Sequence, residues 1–181
     1  MSASAPPTTY LLDDFRAGDG TAALGTQWQG LTDRVMGGLS EMQAGVISTD
    51  RGPALQMRGE VRLENSGGFI QVRLPLATAG GAFDAGGWSG FALAVRGTPG
   101  AYYLHVRSAD TRQPWQHYRA PLPVQAAWQR VVVPFTAFEP QRLEHPLDVE
   151  RLHAVAVVAY GEAFRACLEV GRLELTTEAP A

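Results

Sequence analysis

The chain has 181 residues, 45% of them apolar, and a net charge of −3 at neutral pH. That length can fill one sizeable core and that apolar share excludes disorder by composition, while the acidic balance argues against a general nucleic-acid or anionic-membrane binder. All 15 cationic side chains are arginines, and the single cysteine, Cys167, can close no internal disulfide and build no thiolate metal site.

The N-terminal stretch MSASAPPTTY has neither the basic and apolar regions of a secretory signal nor the arginines of a mitochondrial transit peptide. Residues 1–9 are expected as a disordered or extended tail, and a cytoplasmic location is the default. Strands are predicted near 10–15, 42–48, 53–63, 68–74, 90–96, 101–108, 115–120, 128–133, 152–159 and 167–175, many with period-two alternation. Clusters such as GGAFDAGGWSG and APLPV mark the breaks between them. No sustained helical period occurs, though 148–153 can form one turn, and no window approaches the ~20 apolar residues of a membrane span. Residues 177–181 read as a C-terminal tail. The expectation is an all-β fold: one antiparallel β-sandwich of jelly-roll type over 10–176. Its core should include Phe15, Leu55, Ile70, Val72, Phe91, Leu93, Val95, Leu104, Val106, Val131, Val133, Val155, Val157 and Leu168. The apolar neighbours of Cys167 predict a buried, inert thiol.

No catalytic set is recognisable: the chain has no nucleophile elbow, phosphate-binding loop, dinucleotide fingerprint or zinc-protease motif. His105, His117, His145 and His153 are not at local metal spacing. Asp13 and Asp14 point to opposite faces of a strand; one of them could meet Glu169 or Glu174 around a calcium ion, although a solvated carboxylate is the commoner use. No cofactor and no metal are expected, and no carboxylate pair at glycosidase spacing is visible.

Three strands carry polar and aromatic residues on alternate positions: Phe69, Gln71 and Arg73; Tyr103, His105 and Arg107; Trp115, His117 and Arg119. If they neighbour one another, they form a platform suited to a sugar or an acidic peptide, although any half-solvated sheet shows the same alternation. Two glycine pairs also stand out, in DRVMGGLS (33–40) and ENSGGF (64–69). Paired glycines allow positive φ and close backbone approach. The charged residues beside them, Asp33, Arg34, Glu64 and Arg73, could pin the two bends by an ion pair. The two loops are expected to lie side by side at a rim of the sandwich, with Gly38 in a strained turn if its φ is positive.

The runs WQGLTDRVMGGLS (28–40), GEVRLENSGGFIQVR (59–73), WSGFALAVRG (88–97), YYLHVR (102–107), WQRVVVPFTAFEP (128–140) and FRACLEVGRLEL (164–175) together resemble the complex I intermediate-associated protein family. The resemblance implies a galactose-binding-like jelly roll. Mitochondrial members of that family assist assembly of the NADH:ubiquinone oxidoreductase; this chain resembles a bacterial, stand-alone member. It therefore implies a non-catalytic assembly or chaperone-like factor with a protein partner such as respiratory-complex subunits. A lectin-like carbohydrate-binding module is the alternative. Residues expected at the partner or ligand site are Asp33, Arg34, Met36, Gly37, Gly38, Asn65, Gly67, Gly68 and Phe69 on the loops, and Arg73, Tyr103, Arg107, Trp115 and His117 on the platform.

Overall fold

The computed structural model describes residue 5 and residues 7–181; positions 1–4 and 6 of the expected N-terminal tail lie outside the described residues. The strands are β1 (Thr9–Asp13), β2 (Gln29–Thr32), β3 (Glu41–Thr49), β4 (Gly52–Val61), β5 (Phe69–Pro75), β6 (Gly90–Gly97), β7 (Tyr102–Ser108), β8 (His117–Pro121), β9 (Gln129–Pro134), β10 (Glu139–Gln141), β11 (Leu152–Tyr160) and β12 (Phe164–Thr176). They form two six-stranded sheets. The first runs β3-β4-β12-β6-β9, with β1 paired to β12; the second runs β10-β8-β7-β11-β5-β2. All pairings are antiparallel. The chain is thus the antiparallel β-sandwich that the alternation predicts.

Inward-facing residues of both sheets make the core. Ile70, Val72 and Leu74 of β5, Leu104 and Val106 of β7, and Val155 and Val157 of β11 meet Leu55 and Met57 of β4, Phe91, Leu93 and Val95 of β6, and Leu168, Val170 and Leu173 of β12. Every predicted core residue is buried except Val131, which packs against the cluster half-buried. Cys167 is half-buried rather than buried, because it falls on the outer face of β12.

Several boundaries differ from expectation. The first strand ends at Asp13, since Phe15 takes a left-handed backbone (φ 63°) and turns the chain while its ring enters the core. β2 and β10 carry too few alternating apolar residues to be read as strands. They form as sheet edges, held by register to β5 and β8. β8 starts at His117, which leaves Trp115 on the preceding loop. The expected turn in 148–153 is a 3-10 turn at Val149–Arg151, capped by the Asp148 side chain. In the C-terminal segment, Glu178 is tied to the Arg130 guanidinium, and the Thr177 amide donates to the Thr8 carbonyl.

Of the three platform strands, β7 and β8 are direct neighbours, but β5 is not. β11 intervenes between β5 and β7, with Arg73 opposite Ala156 opposite His105, and Gln71 opposite Val158 opposite Tyr103. β8 then brings Arg119 beside His105, and β2 brings Gln29 beside Arg73.

Candidate functional site

The two glycine loops do lie side by side, but the pin between them is not an ion pair. It is the carboxylate of Asp33, which is fully buried. One oxygen accepts the Ser40 amide at 3.0 Å. The other accepts the Ser40 hydroxyl, the Gly68 amide at 2.6 Å and the Phe69 amide at 3.3 Å. One side chain thereby satisfies backbone donors on both loops, which is what makes a buried carboxylate tolerable. Burial pushes the Asp33 carboxyl up, but the Ser40 hydroxyl and the amides of Gly68, Ser40 and Phe69 outweigh it and hold it below its ordinary value of 3.8.

The backbone fits around this carboxylate. A 3-10 turn at Asp33–Met36 ends on Gly37 in the left-handed region (φ 87°). Gly38 is not the strained position: its φ is not positive, and it is glycine because a Cβ there would overlap the Asp33 carboxyl group. Gly67 faces the same carboxylate, and Gly68 carries the positive φ (130°) of the second loop. Asn65 is also left-handed (φ 58°) and donates from Nδ2 to the Gly37 carbonyl at 3.2 Å. Arg34 turns back on its own loop, donating to the Ser40 carbonyl at 2.9 Å and reaching Glu41 at 3.4 Å.

Outside this frame the rim is apolar. Val35 and Met36 are 67% and 58% exposed, and Leu39 and Leu63 stand beside them in sequence or across the loops, also exposed. Among the described residues the other large exposed apolar side chains are Tyr10, Leu31 on β2 and Trp115. Exposure is therefore concentrated on this rim. Met36 was legible from the sequence; Val35, Leu39 and Leu63 were not, because no periodicity distinguishes an exposed loop apolar residue from a buried one.

The second feature is a groove on the outer face of the second sheet, a cavity of about 280 Å³ lined by Leu31, Gln71, Arg73, His105, Arg107, Arg112, Pro114, His117 and the β11 alanines. Its floor is Ala154 and Ala156, sunk between the taller residues of β5 and β7. The short side chains alternating with valine along β11 are the signal that marks this floor. The groove uses Gln71, Arg73, His105, Arg107 and His117 from the predicted platform. Tyr103 stands farther along the face, in edge contact with Tyr160, with the Arg119 guanidinium over both rings at 5.1 and 5.4 Å. Phe69, at the far end of β5, belongs to the loop pin through its amide.

Arg107 has a different task from the expected one. Its terminal nitrogens donate to the carbonyls of Thr111, Gln113, Pro114 and Gln116, so it builds the wall 111–116 that closes one side of the groove. Trp115 rides on that wall, 61% exposed. Arg112 also projects from it.

The imidazoles of His105 and His117 stack at 4.0 Å. Burial first, then the neighbouring His117 and Arg119, push His105 down to about 2; burial, Arg119 and Arg107 push His117 down to about 4. Both rings are neutral at pH 7, and the Nε2 atoms of both are buried without a hydrogen-bond partner. Among the described residues no three His, Cys, Asp or Glu side chains converge as a metal site. The calcium alternative has no support in the geometry. Asp13 instead accepts the Phe15 and Ala23 amides and the Trp28 indole, while Glu169 and Glu174 pair with arginines.

Solved structures with the same architecture include carbohydrate-binding modules. The family 11 module of the cellulosomal cellulase Lic26A-Cel5E of Clostridium thermocellum is 14% identical with a TM-score of 0.71, over 97% of this chain and 96% of that one. The family 30 module of the cellulosomal cellulase Cel9D-Cel44B of Clostridium thermocellum is 13% identical with a TM-score of 0.61, over 83% and 91%. An exo-beta-agarase is 8% identical with a TM-score of 0.58, over 94% of this chain and 26% of that one. At such identities the likeness establishes the jelly-roll fold alone. No curated protein sequence matches. No helix among the described residues is long and apolar enough to cross a membrane. The sequence pattern of complex I intermediate-associated protein 30 matches residues 14–164, a stretch containing both glycine loops and the whole groove, and the chain belongs to that family.

Proposed function

We propose that this protein is a non-catalytic binding module that docks a protein partner on the rim formed by residues 33–40 and 63–69, in an assembly or chaperone-like role for a complex such as respiratory NADH dehydrogenase. One observation carries the reading: four of the large exposed apolar side chains, Val35, Met36, Leu39 and Leu63, gather on two loops whose backbones are fixed by one buried carboxylate. Apolar residues presented on a preorganised frame are the usual make-up of an interface centre, and a rigid rim spares the partner the entropy of ordering the loops. Arg34, Arg62, Glu41 and Glu64 surround the patch with charge and supply the polar border that interfaces show.

The test is a mild-wash pull-down from the native host with the wild-type chain and a Val35→Ser, Met36→Ser double variant. Capture of defined complex subunits by the first and not the second is the expected result. Absence of any specific protein partner, or equal capture by both forms, would overturn the reading.

A second reading, a carbohydrate-binding module, is favoured by the groove with its neighbouring rings of Tyr103, Tyr160 and Trp115. A relative in fold, the Clostridium thermocellum family 11 module, has been solved in complex with a beta-1,3-1,4-mixed-linked tetrasaccharide. A glycan array without binding at high micromolar concentration would sink it.

A further inference from the structure

The groove gathers arginines with no carboxylate among them. Away from it, Arg16, Arg34, Arg62, Arg96, Arg130, Arg151 and Arg172 each pair with a carboxylate, while Arg51, Arg58, Arg142 and Arg165 form no ion pair among the described residues. Arg73, Arg107, Arg112 and Arg119 form no ion pair among the described residues, although the chain as a whole is acidic. No Asp or Glu lines the cavity. The arginines that act on His105 and His117 are Arg119 and Arg107, and Arg73 acts in the same sense on Arg107.

Like charges gathered around a part-enclosed cavity repel one another, and an anion placed among them relieves that repulsion. The guanidiniums differ in what they can offer. Arg107 is committed to four loop carbonyls. Arg73 gives one N–H to Gln29 at 3.0 Å, which leaves most of its fork free. Arg112 makes no side-chain hydrogen bond to the described residues, while its backbone is fixed by Gln116. In the same cavity wall stands His105, 9% exposed, with Nε2 unpartnered. The volume, about 280 Å³, lies at the small end of ligand pockets and is too confined for a long chain of residues to fill.

We propose that this groove binds a small acidic saccharide, its carboxylate or phosphate gripped by Arg73 and Arg112 and its ring seated on the Ala154–Ala156 floor. Arg107 is a positioning residue that holds the wall carrying Arg112. The inference rests on the carbohydrate reading of the groove and narrows it to anionic ligands; it is independent of partner docking at the rim.

The experiment is isothermal titration of the full chain with glucuronate, glucose 6-phosphate, glucose, cellobiose and inorganic phosphate at low ionic strength. At least one acidic sugar should bind and the neutral sugars should not. Arg112→Gln and Arg73→Gln should each weaken binding by about tenfold or more, the loss expected for a charge-assisted bidentate contact. Ala156→Leu should block binding with the charges intact. Melting curves of each variant verify that it is folded, and Arg112→Gln removes no side-chain hydrogen bond or ion pair among the described residues. Equal binding of neutral and acidic sugars would overturn the anionic assignment while leaving the carbohydrate reading standing. Binding of none of the sugars would overturn both. Inorganic phosphate binding as tightly as the acidic sugars would overturn the saccharide part, and unchanged affinity in Arg112→Gln would overturn the assigned site.

Discussion

Replacing Asp33 by Asn tests the loop pin with almost no change of shape. The carboxylate receives four donors, three of them on one oxygen. The best amide orientation keeps its oxygen toward Ser40 Oγ, Gly68 and Phe69 and turns the NH2 toward the Ser40 amide. Two donors then face each other, and the remaining bonds lose their charge. An orphaned buried N–H costs about 1–3 kcal/mol, and hydrogen bonds to a charged acceptor are worth roughly 1.5–3 kcal/mol against about 1 for neutral ones. The sum is about 3 kcal/mol. For a chain of this size that corresponds to a fall in Tm of roughly 6–12 °C by calorimetry at pH 7. The carboxyl is held below its ordinary pKa of 3.8, so its contribution is complete above that pH and lost as acid protonates the folded form. The difference between Asn and wild type should therefore shrink below about pH 4. A variant melting within about 2 °C of wild type at pH 7 would refute the claim that this carboxylate holds the rim together.

Gly38→Ala should also lower Tm, by clash with the Asp33 side chain rather than by backbone strain, and Gly38→Ala combined with Asp33→Ala should cost less than the sum of the two; strict additivity would contradict the crowding argument. His105 and His117 stay neutral in the fold down to about pH 2 and about pH 4, whereas unfolded imidazoles protonate near pH 6.5. The unfolded chain therefore binds more protons between those limits, and Tm should fall as pH drops from 7 toward 4.5; a His105→Gln, His117→Gln variant with an equally steep slope would assign the effect elsewhere. Arg107→Lys keeps the charge but cannot reach four carbonyls at once, so limited proteolysis should cut within 111–116 faster than in wild type, and an unchanged digestion pattern would count against its role as the wall's frame.

The sandwich was legible because its central strands alternate: Ile70, Val72 and Leu74 against Gln71 and Arg73 announce a half-buried strand without any tertiary knowledge. β2 and β10 were hidden because an edge strand draws its hydrogen bonds from one neighbour and needs little apolar area of its own. The glycine loops were visible as a pair, but the partner that joins them was not. Asp33 next to Arg34 reads as a surface ion pair, and only the fold shows the acid turned inward onto Ser40 and Gly68. Arg107 and Arg112 look equivalent in a list of residues. Their difference, one spent on carbonyls and one unspent, comes from a loop conformation that no local pattern encodes. The groove floor was written in the Ala-Val-Ala-Val run of β11, whose meaning depends on knowing that β5 and β7 flank it.

β12 has a consequence for how the chain is made. Its first half pairs with β4, its second half with β6, and its end with β1, so the strand nearest the end of the sequence lies at the middle of its sheet. During synthesis, β4 and β6 emerge about seventy or more residues before the strand that joins them, a separation long enough to make the closing step slow in folding terms. Until Phe164–Thr176 leaves the ribosome, both strands present bare edges of the kind that other chains can pair with. The first sheet is complete only when β12 is threaded between two partners already waiting.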